Sequence, residues 1–322
     1  MQYKQLGKTG LQVSSLCLGT VNFGWMTTEQ ESCAIMDRAL ATGLNFFDTA
    51  NSYNYQNGDD STESIIGRWL HSSRQREKVV LATKVYGTLG PWPNEGKLSA
   101  YHIKRACEAS LKRLQTDYID LYQMHHVDRT TPWEEIWQAM DQLVREGKIL
   151  YVGSCNFAGW HIVAASCVSR RRGSLGLVSE QSVYNLTKRQ VELEVIPACQ
   201  SYGLGFLPYS PLAGGLLAGA VERASEGRRA LQETRQIHRT VLDQLAQFLE
   251  LCDHLHKKPA EVALAWLLHQ PGVTAPIIGP RTTEQLNQNL RALDLKLTTE
   301  ILTKLDQIWT GPGGAAPEAY AW

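Results

Sequence analysis

A short apolar run followed by an amphipathic helical stretch recurs eight times along this chain, and that recurrence restricts its fold more than any other feature. The candidate strands are 16–19, 45–48, 79–83, 119–124, 150–153, 177–181, 205–208 and 275–278. Helical patterns lie between them at 29–42, 63–71, 102–114, 133–146, 159–169, 189–201 and 259–269. A further pattern at 282–292 follows the last strand, with Thr283 as its expected N-cap. Short strands alternating with helices predict parallel βαβ units. Eight repeats close a barrel, whereas five or six leave an open doubly wound sheet. No GxGxxG run occurs, which weighs against the open dinucleotide-binding sheet. The expected fold class is α/β, a (β/α)8 TIM barrel. Residues 2–14, with the turn signal Gly7-Lys8-Thr9-Gly10, read as an N-terminal hairpin capping the barrel bottom, and 298–309 as an extra C-terminal helix. No Ser/Gly/Pro linker divides the 322 residues, so 1–322 reads as a single barrel domain.

Charge narrows the partners. Lys+Arg and Asp+Glu both number 32, which removes the electrostatic footprint of a nucleic-acid binder or a protein held on anionic lipid. A small-molecule partner is expected instead. Seven cysteines without a CxxC pair suggest reduced thiols, hence a cytoplasmic protein, and no metal site is expected. The polar start, 1–11, lacks the apolar core of a signal peptide. Residues 204–221 carry no charge, but Gly205, Pro208, Pro211, Gly214, Gly215 and Gly219 make a poor spanning helix. A buried strand and a glycine-rich loop fit better, so no membrane association is expected. Oligomeric state is open, a homo-oligomer included.

In such a barrel chemistry belongs at the C-terminal strand ends. Reading them gives Asp48, Lys84, His125, Asn156, Gln181 and Tyr209-Ser210. Each has a bland reading: Asp48 as a helix cap, Lys84 as solvated surface, His125 as one of nine ordinary histidines. Their shared place in the repeat favours a site. The stretch Leu44-Asn45-Phe46-Phe47-Asp48-Thr49-Ala50-Asn51-Ser52-Tyr53 resembles the aldo-keto reductase signature, with Asp and Tyr five apart. Ala82-Thr83-Lys84 resembles that family's lysine strand, and Asp120-Leu121-Tyr122-Gln123-Met124-His125 its histidine strand. Tyr209-Ser210-Pro211-Leu212 resembles its pyrophosphate loop, and 284–289 its adenosine-site helix. The resemblance spans essentially the whole chain. The long loops and the ending from Gly311 to Trp322 look most like bacterial members, relatives of deoxysugar reductases and channel β-subunits among them.

The resemblance implies NADPH-dependent reduction of aldehydes and ketones to alcohols, with Tyr53 as general acid. Lys84 would lower the pKa of Tyr53, Asp48 would keep Lys84 charged, and His125 would donate a hydrogen bond to the carbonyl oxygen. Tyr55 is the more natural pocket wall, and His126 packs or solvates. For the cofactor, Tyr209 is expected to stack on nicotinamide, Asn156 and Gln181 to meet its carboxamide, and Thr20 and Asp48 to border its ribose, with Gly19 also among the cofactor-binding residues. Ser210, Pro211, Leu212 and Gly214 would serve the pyrophosphate. Two departures stand out. The family's Ser-Asn pair is Cys155-Asn156 here, so Ser154 is a candidate to replace a lost contact. Gly279 and Gln285 stand where many members carry cations, which leaves Arg281 as the 2′-phosphate clamp beside Gln288 and Asn289. Residues 214–240, with Arg223, Arg228, Arg229, Arg235 and Arg239, read as a lid or a solvated loop. Pocket-wall candidates are Phe23, Trp25, Tyr55, Trp92 and Trp322. Two other readings stay open: a nucleotide-linked keto-deoxysugar reductase, hinted at by the tail and the Asn22-Phe23-Gly24-Trp25 loop, and an NADPH-binding regulatory subunit with little turnover.

Overall fold

The computed structural model describes residues 1–219 and 239–319. Its first element is an antiparallel hairpin, β1 (Tyr3–Gln5) and β2 (Gln12–Ser14), with Lys4 opposite Val13. Eight parallel strands follow: β3 (Cys17–Gly19), β4 (Phe46–Asp48), β5 (Val80–Val85), β6 (Ile119–Met124), β7 (Ile149–Cys155), β8 (Leu177–Val183), β9 (Gly205–Tyr209) and β10 (Ile277–Ile278). They pair in sequence order, and β10 turns back onto β3. Between β9 and β10 the ring is drawn together by the parallel bridge Phe206–Val273, where the Thr274 N–H donates to the Phe206 carbonyl at 2.9 Å. The fold is the expected (β/α)8 barrel.

The helices are α1 (Glu29–Ala41), α2 (Thr62–Ser73), α3 (Ala100–Leu114), α4 (Trp133–Arg145), α5 (Gly159–Arg171) and α6 (Val195–Tyr202). Then come α7 (Arg239–His254), α8 (Pro259–His269), α9 (Thr283–Leu290) and the extra C-terminal α10 (Thr299–Ile308). Strand side chains alternate between faces, and this divides the core in two. Outward residues Leu18, Phe47, Leu81 and Tyr122 pack with Ile35, Ile66, Trp69, Ile103 and Trp137 of the helices. Inward residues Cys17, Phe46, Ala82, Leu121 and Leu207 fill the lower barrel, where Leu6 and Val13 of the hairpin close it. At Gly7 only glycine fits. Its φ is +58°, and a Cβ would lie 2.5 Å from the Val178 carbonyl oxygen and 2.6 Å from that of Gly203.

Three local expectations are corrected. The helix expected at 189–201 is a 3-10 turn, Gln190–Glu192, followed by α6, because Glu194 leaves helical backbone at φ −137°. The cap of α9 is Thr282, not Thr283: its hydroxyl accepts from the Gln285 N–H at 3.2 Å. Helix α7 takes over residues read as the end of a loop, and its buried Leu245, Phe248 and Cys252 supply the helical spacing that marks it. Of the expected lid, residues 220–238 lie outside the described residues, as does Trp322.

Because Leu6 is fully buried at the closed end, Leu6→Ala is expected to cost about 2–5 kcal/mol in denaturant unfolding without altering the mouth. A loss below about 1 kcal/mol would show that the hairpin is not an integral floor.

Candidate active site

Two residues above the apolar floor the inner face turns polar. On β4 Phe46 gives way to Asp48, on β5 Ala82 to Lys84, and on β6 Leu121 to Gln123, the strand's two-residue period placing each pair on one face. Lys84 is wholly buried, and its ammonium has three acceptors: Asp48 Oδ2 at 2.6 Å, the Thr49 carbonyl at 2.8 Å and Tyr53 Oη at 3.2 Å. The other oxygen of Asp48 takes the side-chain amides of Gln123 and Gln181, each at 2.9 Å. Burial opposes the charge on Lys84, but Asp48, Tyr53 and Cys155 more than offset it and hold the ammonium above its ordinary pKa. A buried ion pair persists only when the remaining hydrogen-bonding capacity is met, and here it is.

Tyr53 departs from expectation. Burial pushes its phenol above 10, outweighing the Lys84 ammonium that pulls it down. The sequence identifies the cation but not the cost of placing a phenolate in a closed site. His125 is depressed to about 2 by burial, then by Lys84 and His126, and is therefore a neutral imidazole. Its ring meets Tyr53 edge-on at 5.9 Å and stacks on His126 at 5.2 Å.

These groups floor a cavity of about 1030 Å³ that runs from Thr20, Asp48, Tyr53 and His125 past Tyr209 and Gly214 to Arg281. Gly19, Cys155, Asn156, Gln181, Ser210, Pro211, Leu212, Gly279, Gln285, Gln288 and Asn289 also line it. Asn156, at φ +59°, accepts from Tyr209 Oη at 2.9 Å and donates to the His125 carbonyl at 3.2 Å. The hydroxyl of Thr20 donates to the Asp48 carbonyl at 2.9 Å. Beyond β9, Ser210, Ala213, Gly214 and Gly215 all have positive φ, the kind of left-handed turn that aims backbone N–H groups at an anion. At the far end Gln285 turns back to accept from the Arg281 N–H at 2.9 Å. The Arg281 guanidinium is partly buried and has no carboxylate partner among the described residues.

Other expected residues lie elsewhere. Ser154 is not on the cavity: it sits on the opposite face of β7 from Cys155, and its hydroxyl donates to the Glu180 carboxylate. It therefore cannot stand in for the missing family serine. Phe23 is wholly buried in the outer core, while Trp25 and Trp92 are 56% and 74% exposed in loops at the mouth end. Tyr55 packs under the Arg113 guanidinium, 5.4 Å from its ring centre. None of the four lines the cavity. Two participants were not anticipated, Gln123 and the wall residue His126. Lys258, Asn22 and Met26 also reach the cavity. No described helix is long and apolar enough to cross a membrane, and no metal-holding cluster of His, Cys, Asp or Glu occurs among the described residues.

A parallel barrel whose mouth holds a buried Asp–Lys pair against a tyrosine, beside an elongated crevice, defines a class, and comparison with known proteins agrees with it. Residues 15–310 match the model of the Aldo/keto reductase family. The chain is 52% identical to the uncharacterized oxidoreductase YrpG of Bacillus subtilis, with all of both chains covered. It is 34% identical to a probable voltage-gated potassium channel subunit beta of Arabidopsis thaliana, covering 96% of each. It is likewise 34% identical to norsolorinic acid reductase A of Aspergillus parasiticus, covering 92% of this chain and 78% of the relative. The chain belongs to the aldo/keto reductase family.

Behind the cavity wall, burial raises the pKa of Glu180 to about 7 against the hydrogen bonds of Ser154, Ser182 and the Phe157 amide. A folded-state pKa above the unfolded one means the native protein binds the extra proton, so this contribution to stability is full below about pH 4.3 and lost as pH rises through about 7. The Tm of wild type minus that of Glu180→Gln is therefore expected to be more positive at pH 5 than at pH 8. Parallel Tm curves across that interval would refute the assignment.

Proposed function

We propose that this protein reduces aldehydes or ketones to alcohols with NADPH, Tyr53 giving the proton. The observation that carries the reading is the placement of the buried Lys84 ammonium between Asp48 and Tyr53 Oη, behind the cavity floor that those two residues line. Because Lys84 donates to Tyr53 Oη, the phenol's own proton is free to point into the cavity, and its raised pKa keeps that proton in place at neutral pH. A reduced nicotinamide, when bound, supplies hydride to the carbonyl carbon. The Tyr53 proton then passes to the carbonyl oxygen, and the phenolate left behind is stabilised by Lys84. Neutral His125 has one N–H to offer that oxygen and fixes its approach. Asn156 and Gln181 would face the carboxamide, Tyr209 would stack on the ring, and the 210–215 turn would take the pyrophosphate. Arg281, which meets no carboxylate among the described residues, suits a 2′-phosphate at the far end.

The similarity to channel β-subunits supports a second reading, cofactor binding with regulatory output and little turnover. Rapid NADPH oxidation with a nitrobenzaldehyde excludes it; tight NADPH retention without turnover would favour it.

Tyr53→Phe is expected to lower kcat by about 10²- to 10⁴-fold while NADPH still binds. Wild-type turnover in that variant would remove Tyr53 from the proton-donor role. Arg281→Ala is expected to weaken NADPH about tenfold or more and leave NADH nearly unchanged, as loss of a charge-assisted contact requires. Equal loss for both nucleotides would refute the 2′-phosphate assignment.

A further inference from the structure

Glu180 is wholly buried, yet the reaction outlined above does not use it. It lies on the outer face of β8, paired across the sheet with Ser154, while its neighbour Gln181 pairs with Cys155. No arginine or lysine meets its carboxylate among the described residues. Its titratable neighbours are thiols, Cys155 on β7 and Cys199 on α6, both kept neutral by burial. Three donors converge on it instead: the Ser154 hydroxyl, the Ser182 hydroxyl at 2.7 Å and the Phe157 N–H at 3.0 Å. Ionised, the Glu180 carboxylate only accepts; protonated, it still keeps an oxygen for the Phe157 N–H, and a buried carboxyl lacking a cation is tolerated only where such partners surround it.

The Phe157 N–H immediately follows Asn156, whose φ of +59° is a backbone state that asparagine tolerates without preferring. From it Asn156 reaches three strand ends at once. Its carboxamide nitrogen donates to the His125 carbonyl after β6 and to Cys155 Sγ of β7, each at 3.2 Å. Its oxygen accepts from Tyr209 Oη of β9. Its own N–H donates to the Gln181 carbonyl at 2.9 Å. The turn is thus fixed from β8 at two successive amides, one of them by a side chain.

We propose that Glu180 is a positioning residue for the cofactor end of the active site: from outside the barrel wall its carboxylate clamps the Phe157 amide and so holds Asn156 in the turn from which it spans His125, Cys155 and Tyr209. The proposal rests on the reading of the cavity as a nicotinamide site. Glu180 touches no reacting group and acts through Asn156.

The test is NADPH titration by fluorescence, with steady-state kinetics on a nitrobenzaldehyde, for wild type, Glu180→Ala, Glu180→Gln, Asn156→Ala and the double variant Glu180→Ala/Asn156→Ala. Glu180→Ala is expected to raise the Kd and KM for NADPH about tenfold, with the aldehyde KM within about twofold of wild type. Glu180→Gln keeps an acceptor for Phe157 and should recover affinity to within about threefold. The double variant should bind within about twofold of the weaker single variant, since both changes break one linkage. Unchanged NADPH affinity in Glu180→Ala, or effects that multiply in the double variant, would overturn the proposal. Should circular dichroism show Glu180→Ala unfolded, Ser154→Ala/Ser182→Ala loosens the same carboxylate, and unchanged affinity there overturns the proposal equally. Wild type that binds NADPH while Glu180→Ala binds it equally well defeats this inference alone. Wild type that binds neither NADPH nor NADH defeats the reading beneath it as well.

Discussion

The candidate site depends on one contact, the buried ion pair between Asp48 and Lys84. Bringing two opposite charges inside a barrel costs several kcal/mol of hydration per ion, and well-packed apolar residues would serve stability as well or better. The pair is kept charged because every polar atom on it is used: Lys84 by Asp48, Thr49 and Tyr53, and Asp48 by Gln123 and Gln181 as well. From that saturation follow the orientation of the phenol, which must accept from Lys84, and part of the depression of the His125 pKa, since a second cation is disfavoured beside the first.

What permits a polar mouth is an apolar floor. Strand alternation gives each strand only two or three inward positions, and the lower ones go to Phe46, Ala82, Leu121 and Leu207. The hairpin seals that end with Leu6 and Val13, so water reaches the charged layer from one side only. Burial then acts differently on each group. It drives His125 to neutrality and holds the Tyr53 proton in place, while Lys84 resists it through a partner at 2.6 Å.

The strand register made much of this legible in advance. Asp48, Lys84 and His125 stand at the same place in successive repeats, and a repeat is a geometric statement even in one dimension. Gln123 was not legible, because a glutamine inside an apolar strand reads as a satisfied core residue until its partner is seen. Ser154 was misplaced although the two-residue period of β7 separates it from Cys155. Phe23, Trp25, Tyr55 and Trp92 stand off the cavity lining for another reason. Loops have no period, so nothing in the order of residues tells a buried Phe23 from an exposed Trp25 or Trp92. The sign of the Tyr53 shift also needed a burial that sequence does not report.

The polar layer in this barrel is held by strands and the rim of the mouth by loops, and the two are tied together. The Phe23 carbonyl accepts from Asn54 Nδ2 at 2.7 Å and from the Thr62 hydroxyl at 3.0 Å. Those donors flank the tyrosine segment: Asn54 follows Tyr53, and the Thr62 N–H bonds back to the Tyr53 carbonyl at 3.2 Å. The loop that displays Trp25 at the mouth is therefore anchored to the backbone that carries the phenol. With Phe23 locked in the core, that loop is a fixed wall rather than a free flap. Changes of sequence at residues 22–27 would shift the wall at Asn22 and Met26 and the tyrosine segment together.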